Sequence, residues 1–188
     1  MIPTLSTERL KLIPPDESCF AAYEQFYTDA DSSKAYGGPL SSSQAWERLM
    51  LDIGSWHLTG FGVWAIKEQQ SGAIVGSCGY WQALGWPREL TWWLLKSARC
   101  KGYAQEASIA AIEHAYTQFG WDKVQTYMHD DNQAARSLVE KLGGVISSRM
   151  EFADSLSRNI YDIAAPPPLI SGAEKKQAAI SGDNLHQD

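Results

Sequence analysis

The chain has 188 residues, of which 44% are hydrophobic and 20% charged, and these proportions are typical of one globular domain with a full core. Its formal net charge of -6 argues against a general nucleic-acid-binding surface. The three widely spaced cysteines form no CxxC pair, and neither a secretory leader nor a long apolar stretch is seen, so we expect a cytoplasmic protein without a disulfide framework, a zinc site or a membrane span.

The first half of the chain predicts one strand, two helices and a meander of three strands. The first strand alternates polar and apolar residues before a Pro-Pro pair, and serines in the turn-rich segment 35–43 can cap the second helix. The last meander strand is apolar on both faces and is therefore expected to be central. In chain order these elements are a strand at Arg9–Pro14, a helix from Asp16, a helix containing Ala45 to Trp56, and strands at Phe61–Glu68, Ala73–Gln82 and Glu89–Lys96.

The second half predicts a helix, a strand, a short helix and a closing hairpin. The first helix opens at Lys101 or Gly102 and carries alanines on one face, which allow close packing on a sheet. A strand at Lys123–Asp130 follows, and Asp131 or Asn132 caps the short helix.

This order of elements predicts one α/β (α+β) domain over residues 1–165. Three meander strands beside a β-α-β-α unit favour a mixed sheet with helices on both faces. Residues 166–188 are rich in proline, glycine and polar residues without periodicity, and they are predicted to form a flexible polar tail.

The bend with the sequence ARCKGYA has the features of an anion site. A helix N-terminus presents unpaired N–H groups and the positive end of the helix dipole, and Gly102 lets a ligand approach the backbone. Arg99 and Lys101 add positive charge, which suits a pyrophosphate. The glycine-rich motifs of phosphate-binding loops and dinucleotide folds are missing. The alternative is an ordinary surface helix start with two solvated cations.

Five segments in matching order resemble the GCN5-related N-acetyltransferases (GNAT) over roughly residues 4 to 163. The residues Arg99-Cys100-Lys101-Gly102-Tyr103-Ala104 fit that family's Gln/Arg-x-x-Gly-x-Gly/Ala signature for acetyl-CoA. The segments TERLKLIP, IVGSCGYW, ELTWWLL and DDNQAARSLVEKLGG lie around it at corresponding positions. The chain is most similar to the RimJ/RimL-type branch, named for enzymes that acetylate the N-termini of ribosomal proteins.

The resemblance implies a mixed, mostly antiparallel sheet of about seven strands, splayed between the fourth and the fifth. In the family, the pantetheine arm of acetyl-CoA enters that gap, and we expect no metal. The residues implied to hold the cofactor are Leu94, Leu95 and Lys96 through backbone contacts with pantetheine, Arg99, Cys100, Lys101, Gly102, Tyr103 and Ala104 at the pyrophosphate, and Asn132 beside pantetheine.

Direct acetyl transfer needs a deprotonated amine, so a base is expected near the thioester. Glu89 opens the third meander strand, aligns with an acidic residue common in this branch, and is the first candidate. The alternative is a solvated carboxylate at a strand end, or one paired with Arg88. His129 ends a later strand and could face the same cleft, since histidine suits proton transfer near neutral pH. The alternative for His129 is a surface histidine.

Two positions depart from the family pattern and bear on the proton donor. Many members carry a Tyr in the helix that follows the residue corresponding to Asn132. At that position this chain has Val139. The branch often has Ser three residues after that Asn, where this chain has Ala135. Water or the acceptor's own proton could serve instead.

Trp81, Trp86 and Trp92 are expected around the mouth of the acceptor cleft. Aromatic faces there can receive a cationic or apolar acceptor. The alternative is that these rings only fill the core and a lid. Acceptor selectivity is expected to lie in the first two helices, 16–60, and in the Trp81–Pro87 turn.

Together these features predict an acetyl-CoA-dependent N-acetyltransferase that acts on a protein N-terminus or a small-molecule amine. We expect a monomer or homodimer that binds neither nucleic acid nor membrane. The alternative function is a catalytically weak or inactive coenzyme A-binding sensor or interaction module. A generic nucleotide-binding domain is disfavoured, because the phosphate-loop motifs are missing.

Overall fold

The computed structural model describes residues 1–166, which form eight β-strands and five α-helices. The strands are β1 (Leu5–Ser6), β2 (Leu10–Ile13), β3 (Val63–Glu68), β4 (Ile74–Trp81), β5 (Glu89–Leu94), β6 (Val124–Tyr127), β7 (Val145–Glu151) and β8 (Ser157–Ile163). The helices are α1 (Phe20–Tyr27), α2 (Ala30–Ser33), α3 (Ser42–Thr59), α4 (Tyr103–Thr117) and α5 (Gln133–Lys141), and none of these described helices has the length and apolarity to cross a bilayer. Apart from Pro166, the predicted polar tail lies outside the described residues.

The strands are divided between two antiparallel sheets. The first has the order β1-β2-β3-β4-β5 and the second the order β6-β8-β7, so within residues 1–166 the ladder is interrupted between β5 and β6. The splayed, mostly antiparallel sheet implied by the resemblance is confirmed. The interruption lies between the strands predicted as fourth and fifth, which are numbered β5 and β6 here because the two-residue β1 was not predicted.

Helices cover both faces of the five-stranded sheet, as predicted. On one face, α4 turns its fully buried Ala107, Ala111 and Ala115 toward a core that contains Trp64. On the other face, α1 and α3 pack aromatic side chains around Trp93 of β5. The small side chains of α4 let the helix approach the sheet closely, whereas the α1–α3 face is filled by rings.

Strand β5 borders the first sheet, although its apolar composition predicted a central strand. Its inner edge pairs with β4, and its outer edge faces β6 across the interruption. Glu89 and Trp93 lie on the face covered by α1 and α3, whereas Leu90, Trp92 and Leu94 lie on the α4 face. The strand is apolar on both faces because helices cover both, and a border strand beside a second sheet can have the same composition as a central one.

Local sequence signals determine the helix starts that shape the site. The Ser41 hydroxyl and the Gln44 side chain form a reciprocal capping box at the start of α3. The Asn132 side chain accepts a hydrogen bond from the Ala135 N–H at 3.1 Å and caps α5, which decides between the two predicted caps. Helix α4 begins after Gly102, whose φ of 81° is a conformation that glycine adopts without strain.

Candidate active site

The signature bend, residues Arg99–Ala104, opens α4 without a capping side chain. A Cβ built on Gly102 would lie 3.3 Å from the Arg9 guanidinium, so a side chain there would crowd Arg9. Because Gly102 offers no cap, the first N–H groups of α4 are open to an external acceptor. The first three residues of the bend are exposed, and two of them are basic. The charge of the bend and its uncapped N–H groups therefore suit an anionic ligand.

Three side chains outside the signature bend hold its shape. Arg9 donates to the Lys101 carbonyl at 2.8 Å and pairs with the Glu106 carboxylate at 2.6 Å. Glu68 accepts a hydrogen bond from the Tyr103 hydroxyl and lies 3.9 Å from the Lys101 ammonium. Part of the positive charge of the bend is thus already paired, and the backbone N–H groups of the helix start remain without a capping side chain.

The outer edge of β5, where the resemblance implies pantetheine, is occupied by side-chain donors. Three carbonyls of this edge accept hydrogen bonds from three side chains: Leu90 from the Thr126 hydroxyl at 2.8 Å, Leu94 from Arg99 Nε at 3.1 Å, and Trp92 from the Tyr36 hydroxyl. These bonds stand where a neighbouring strand would otherwise pair. A ligand that runs along this edge can exchange with them without breaking a strand ladder.

Only one of the three residues predicted to contact pantetheine presents its carbonyl at this edge. Leu94 directs its carbonyl outward, but the Leu95 N–H donates inward to the Val75 carbonyl at 2.9 Å. The Leu95 and Lys96 carbonyls accept from the Ala98 and Arg99 N–H groups at 2.9 and 3.3 Å, and the Lys96 ammonium pairs with Asp29 at 2.9 Å. Backbone groups of successive strand residues point to opposite edges, so the expectation that three consecutive residues line the gap is not met at Leu95.

Glu89 opens β5 and is half-buried. Burial raises its pKa from an ordinary value of 4.5 to about 8, although the Tyr127 hydroxyl and two guanidinium groups act in the opposite direction. The suggested alternative partner, Arg88, instead stacks over the Trp121 ring at 3.3 Å. Glu89 is therefore a carboxyl group that exchanges its proton near neutral pH, which is the property that a general base requires.

The polar groups that surround Glu89 were not indicated by any sequence motif. Arg48 of α3, Tyr127 of β6 and Arg158 of β8 all act on its pKa. Arg158 is only 4% exposed and stacks over the Phe152 ring at 4.9 Å. The Arg48 Nε atom is buried without a hydrogen-bond partner among the described residues. These residues belong to elements that are remote in sequence, and no local spacing connects them.

Two of the three predicted tryptophans flank this cluster. The Trp81 and Trp86 rings meet edge to face with centroids 6.3 Å apart, and the Trp86 ring packs against Tyr127 at 6.0 Å and Phe152 at 4.7 Å. Trp92 lies on the opposite face of β5 and packs against the α4 core. Side chains alternate along a strand, so Trp92 cannot join the wall on the Glu89 side.

His129 lies exposed just beyond β6, next to the ion pair of Arg158 and Asp154. Its Nε2 atom is 3.2 Å from Arg158 Nη2. A guanidinium group can only donate, so Nε2 is the acceptor and its lone pair is engaged. Glu89 is thus better placed than His129 to accept a proton. In the described part of the chain, no three His, Cys, Asp or Glu side chains converge as metal ligands.

The helix after Asn132 offers no proton donor at the two positions where the resemblance expects one. Val139 is fully buried, and Ala135 has no polar group. A Cβ on Gly144 would come within 2.4 Å of Val139 Cγ1, so this side of α5 is packed against its own chain. The Asn132 side-chain oxygen is used for capping, which leaves its amide nitrogen for a ligand.

Known proteins share this architecture. A family model described as an acetyltransferase (GNAT) domain matches residues 9–145. An acetyltransferase from Agrobacterium tumefaciens is 28% identical, with a TM-score of 0.79 over 87% of this chain and 95% of that one. The RimL ribosomal L7/L12 alpha-N-protein acetyltransferase, solved with coenzyme A, is 17% identical, with a TM-score of 0.69 over 85% of this chain and 97% of that one. The microcin C7 self-immunity acetyltransferase MccE, solved with acetyl-CoA and AMP, is 14% identical, with a TM-score of 0.67 over 84% of this chain and 94% of that one.

The family match spans most of the elements that form the candidate site, but not β8, which carries Arg158. It runs from the start of β2 to the start of β7 and includes both strands of the splay and the signature bend. RimL and MccE have low sequence identity to this chain, so the likeness to them shows only a shared fold. On the extent of the family match, the chain belongs to the GNAT family of acetyltransferases.

Proposed function

We propose that the protein is an acetyl-CoA-dependent N-acetyltransferase that transfers the acetyl group directly from the thioester to a primary amine. The observation that carries this proposal is the position of Glu89. A carboxyl group with a pKa of about 8 opens β5, and the opposite end of the same strand leads toward the signature bend. The proposed base and the proposed anion site thus lie at the two ends of one strand.

In this proposal the signature bend holds the pyrophosphate of acetyl-CoA through the first N–H groups of α4. The absence of a capping side chain at Gly102 supports this role, since it leaves those N–H groups open. Pantetheine follows the outer edge of β5 from Leu94 toward Trp92 and exchanges with the donors that occupy it. Asn132 contacts the same arm from the start of α5.

Glu89, as the carboxylate, takes a proton from the acceptor ammonium group. The free amine then attacks the thioester carbonyl, the new C–N bond forms, and the C–S bond breaks. Proton transfer is most effective when the two groups have similar pKa values. A pKa of about 8 for Glu89 is close to that of an α-amino group, about 7.7–8.0, and well below that of a lysine side chain, about 10.4. This match favours an α-amine as the acceptor.

The acceptor class that best fits these properties is the N-terminus of a protein or peptide. The similar RimL structure is named as an alpha-N-protein acetyltransferase, which supports the same class. Trp81 and Trp86 give the cleft an aromatic wall that can hold the first side chains of such a peptide. A small-molecule α-amine satisfies the same proton-transfer chemistry.

The alternative is a coenzyme A-binding module with weak or no transferase activity. The observation that favours it is the lack of a proton donor at Val139 and Ala135, because a sensor needs the signature bend and the β5 edge but not the acid. Such a module would bind coenzyme A and leave the thioester intact.

Equilibrium binding of acetyl-CoA combined with a thiol-release assay separates the two functions. The acceptors should include amino acids, polyamines, aminoglycosides and short peptides with free or blocked N-termini. We expect acceptor-dependent release of thiol, fastest with free N-termini, while a blocked peptide with an internal lysine serves as the matched control. Binding without thiol release would favour the module, and the absence of binding would reject both functions.

A further inference from the structure

We propose that the Tyr36 hydroxyl is the proton donor to the departing sulfur of coenzyme A, an inference that rests on the proposed acetyl transfer. The side chain lies at the end of a 3-10 turn, Lys34–Tyr36, between α2 and α3. Neither a motif nor the resemblance indicates this residue. It is assigned by its position against the outer edge of β5.

The Tyr36 hydroxyl reaches the part of the edge where the thioester belongs in the proposed binding mode. It donates to the carbonyl of Trp92, which lies along β5 between Glu89 and the Leu94 carbonyl. Its ring packs edge to face against Phe26 with centroids 5.5 Å apart and thus approaches from the α1 face, the face of Glu89. The base and the hydroxyl therefore face the same short stretch of β5.

The Tyr36 phenol is held in its protonated form. Burial raises its pKa, and the negative charge of Glu89, the hydroxyl of Tyr27 and the thiol of Cys78 raise it further, while the Thr91 side chain acts in the opposite direction. The phenol therefore keeps its proton in the resting enzyme. Protonation of Glu89 in the transfer step removes the negative charge that helps to raise the pKa of Tyr36, so Tyr36 is a stronger acid when the thiolate forms. The Trp92 carbonyl accepts this bond until a stronger acceptor, such as a developing thiolate, arrives beside it.

Of the three side chains that bond the outer edge of β5, Tyr36 alone combines the position with a transferable proton. Thr126 carries an alcohol, which is too weak an acid to yield its proton to a thiolate. Arg99 stays charged, and it bonds the Leu94 carbonyl nearer to the signature bend. Val139, at the position where the family often has a tyrosine, is buried and apolar. The proton donor is thus supplied from the turn before α3 and not from α5.

The step balances as follows. The acceptor nitrogen, after loss of one proton to Glu89, forms a bond to the acetyl carbon and becomes positively charged. The C–S bond breaks with its electron pair on sulfur, and the Tyr36 hydroxyl gives its proton to that sulfur to form the free thiol. The resulting phenolate recovers a proton from the new amide nitrogen, and Glu89 releases its proton to solvent.

Tyr36→Phe tests this role, because it keeps the ring against Phe26 and removes only the hydroxyl. We expect kcat to fall about 10- to 100-fold. This effect is at or below the low end of acid–base contributions, because a thiolate leaves readily even without a proton donor. The affinity for coenzyme A should stay unchanged. The matched control is Tyr116→Phe, which removes a hydroxyl near the C-terminal end of α4 that donates to the Ile163 carbonyl at 2.7 Å and accepts from the Val124 N–H at 3.2 Å. That control should retain wild-type kcat.

A change of leaving group distinguishes proton donation from a structural role. In an acetyl-CoA analogue with an ester oxygen in place of the sulfur, the leaving alkoxide needs a proton far more than a thiolate does. The kcat of the wild type is divided by the kcat of Tyr36→Phe for each acetyl donor. This ratio should be at least about tenfold larger with the oxygen ester than with acetyl-CoA. Equal ratios, or an ester that the wild type cannot use, would overturn the role of Tyr36. A wild type that releases no thiol with any amine would instead overturn the proposed function itself.

Discussion

The Arg9 guanidinium lies 2.6 Å from the Glu106 carboxylate and also donates to the Lys101 carbonyl at 2.8 Å. One side chain from the segment before β2 is therefore bonded both to the first turn of α4 and to the signature bend. The bend is thus held in shape by a side chain from outside it, and ordering a binding site in advance increases affinity for its ligand.

Arg9→Met should weaken coenzyme A binding about 5- to 10-fold, because the bend must then be ordered by the ligand. The melting temperature should change little, since the ion pair is partly exposed. Arg149→Met is the matched control, because Arg149 is equally exposed and pairs with Asp130 at 2.8 Å away from the bend. Calorimetric titration with coenzyme A measures both variants. Equal affinities in the two would contradict the bracing role.

Gly102→Glu should abolish binding of coenzyme A. The substitution strains a backbone with φ of 81° and directs a carboxylate into the space proposed for the pyrophosphate. Gly120→Glu imposes the same kind of strain, at φ of 65°, beyond the other end of α4 and with nothing within 4 Å of the new Cβ. The control should lose some stability and keep its affinity. Retained affinity in Gly102→Glu would reject the assignment of the phosphate site.

The contribution of Glu89 should shrink at high pH. The wild type removes the proton from the acceptor ammonium group, whereas Glu89→Gln can use only the acceptor that is already a free amine. With a pKa of about 8 for Glu89, the ratio of wild-type to Glu89→Gln turnover should be level below about pH 8 and fall above it. The level part of the ratio should be about 100-fold. Glu113→Gln, an exposed position on α4, is the control and should behave as wild type. A ratio that is independent of pH would remove Glu89 from the mechanism.

Asp52 should make stability depend on pH. It accepts a hydrogen bond from the Tyr23 hydroxyl at 2.8 Å between α1 and α3, and burial raises its pKa from 3.8 to about 6. A raised carboxyl pKa favours the folded state at low pH, and that stabilisation is lost as pH rises through the folded value. The free energy of unfolding of Asp52→Asn relative to wild type should therefore increase by about 1–3 kcal/mol between pH 4 and pH 7.

Urea unfolding at several pH values measures this difference. Asp52→Ala is the informative companion, because alanine leaves the Tyr23 hydroxyl without its acceptor. Its free energy of unfolding should be about 1–3 kcal/mol below that of Asp52→Asn at every pH. A constant difference between wild type and Asp52→Asn would show that Asp52 does not titrate in this range.

Features that depend on neighbours in the chain were predictable from the sequence. The signature bend, the cap at Asn132 and the alanine face of α4 are each encoded within one or two helical turns, and the structure has all three. The strand β1 and the helix α2 escaped prediction because they are two and four residues long.

Features that depend on contacts between distant elements were not predictable. Arg48, Tyr36 and Arg158 reach the Glu89 end of β5 from three separate parts of the chain, and only the packing of α1, α3 and β8 brings them there. Trp92 was grouped with Trp81 by its nearness in sequence, but the alternation of side chains along β5 sends it to the other face. A residue's face within a strand depends on register, which a short apolar run does not specify.

The side-chain bonds along the outer edge of β5 also bear on how the protein behaves in solution. A bare strand edge is a template on which another molecule can add a strand, and such additions lead to aggregates. Here the carbonyls that would recruit a second molecule are engaged by Thr126, Tyr36 and Arg99. Removing these three donors together should therefore make the protein more prone to association through this edge.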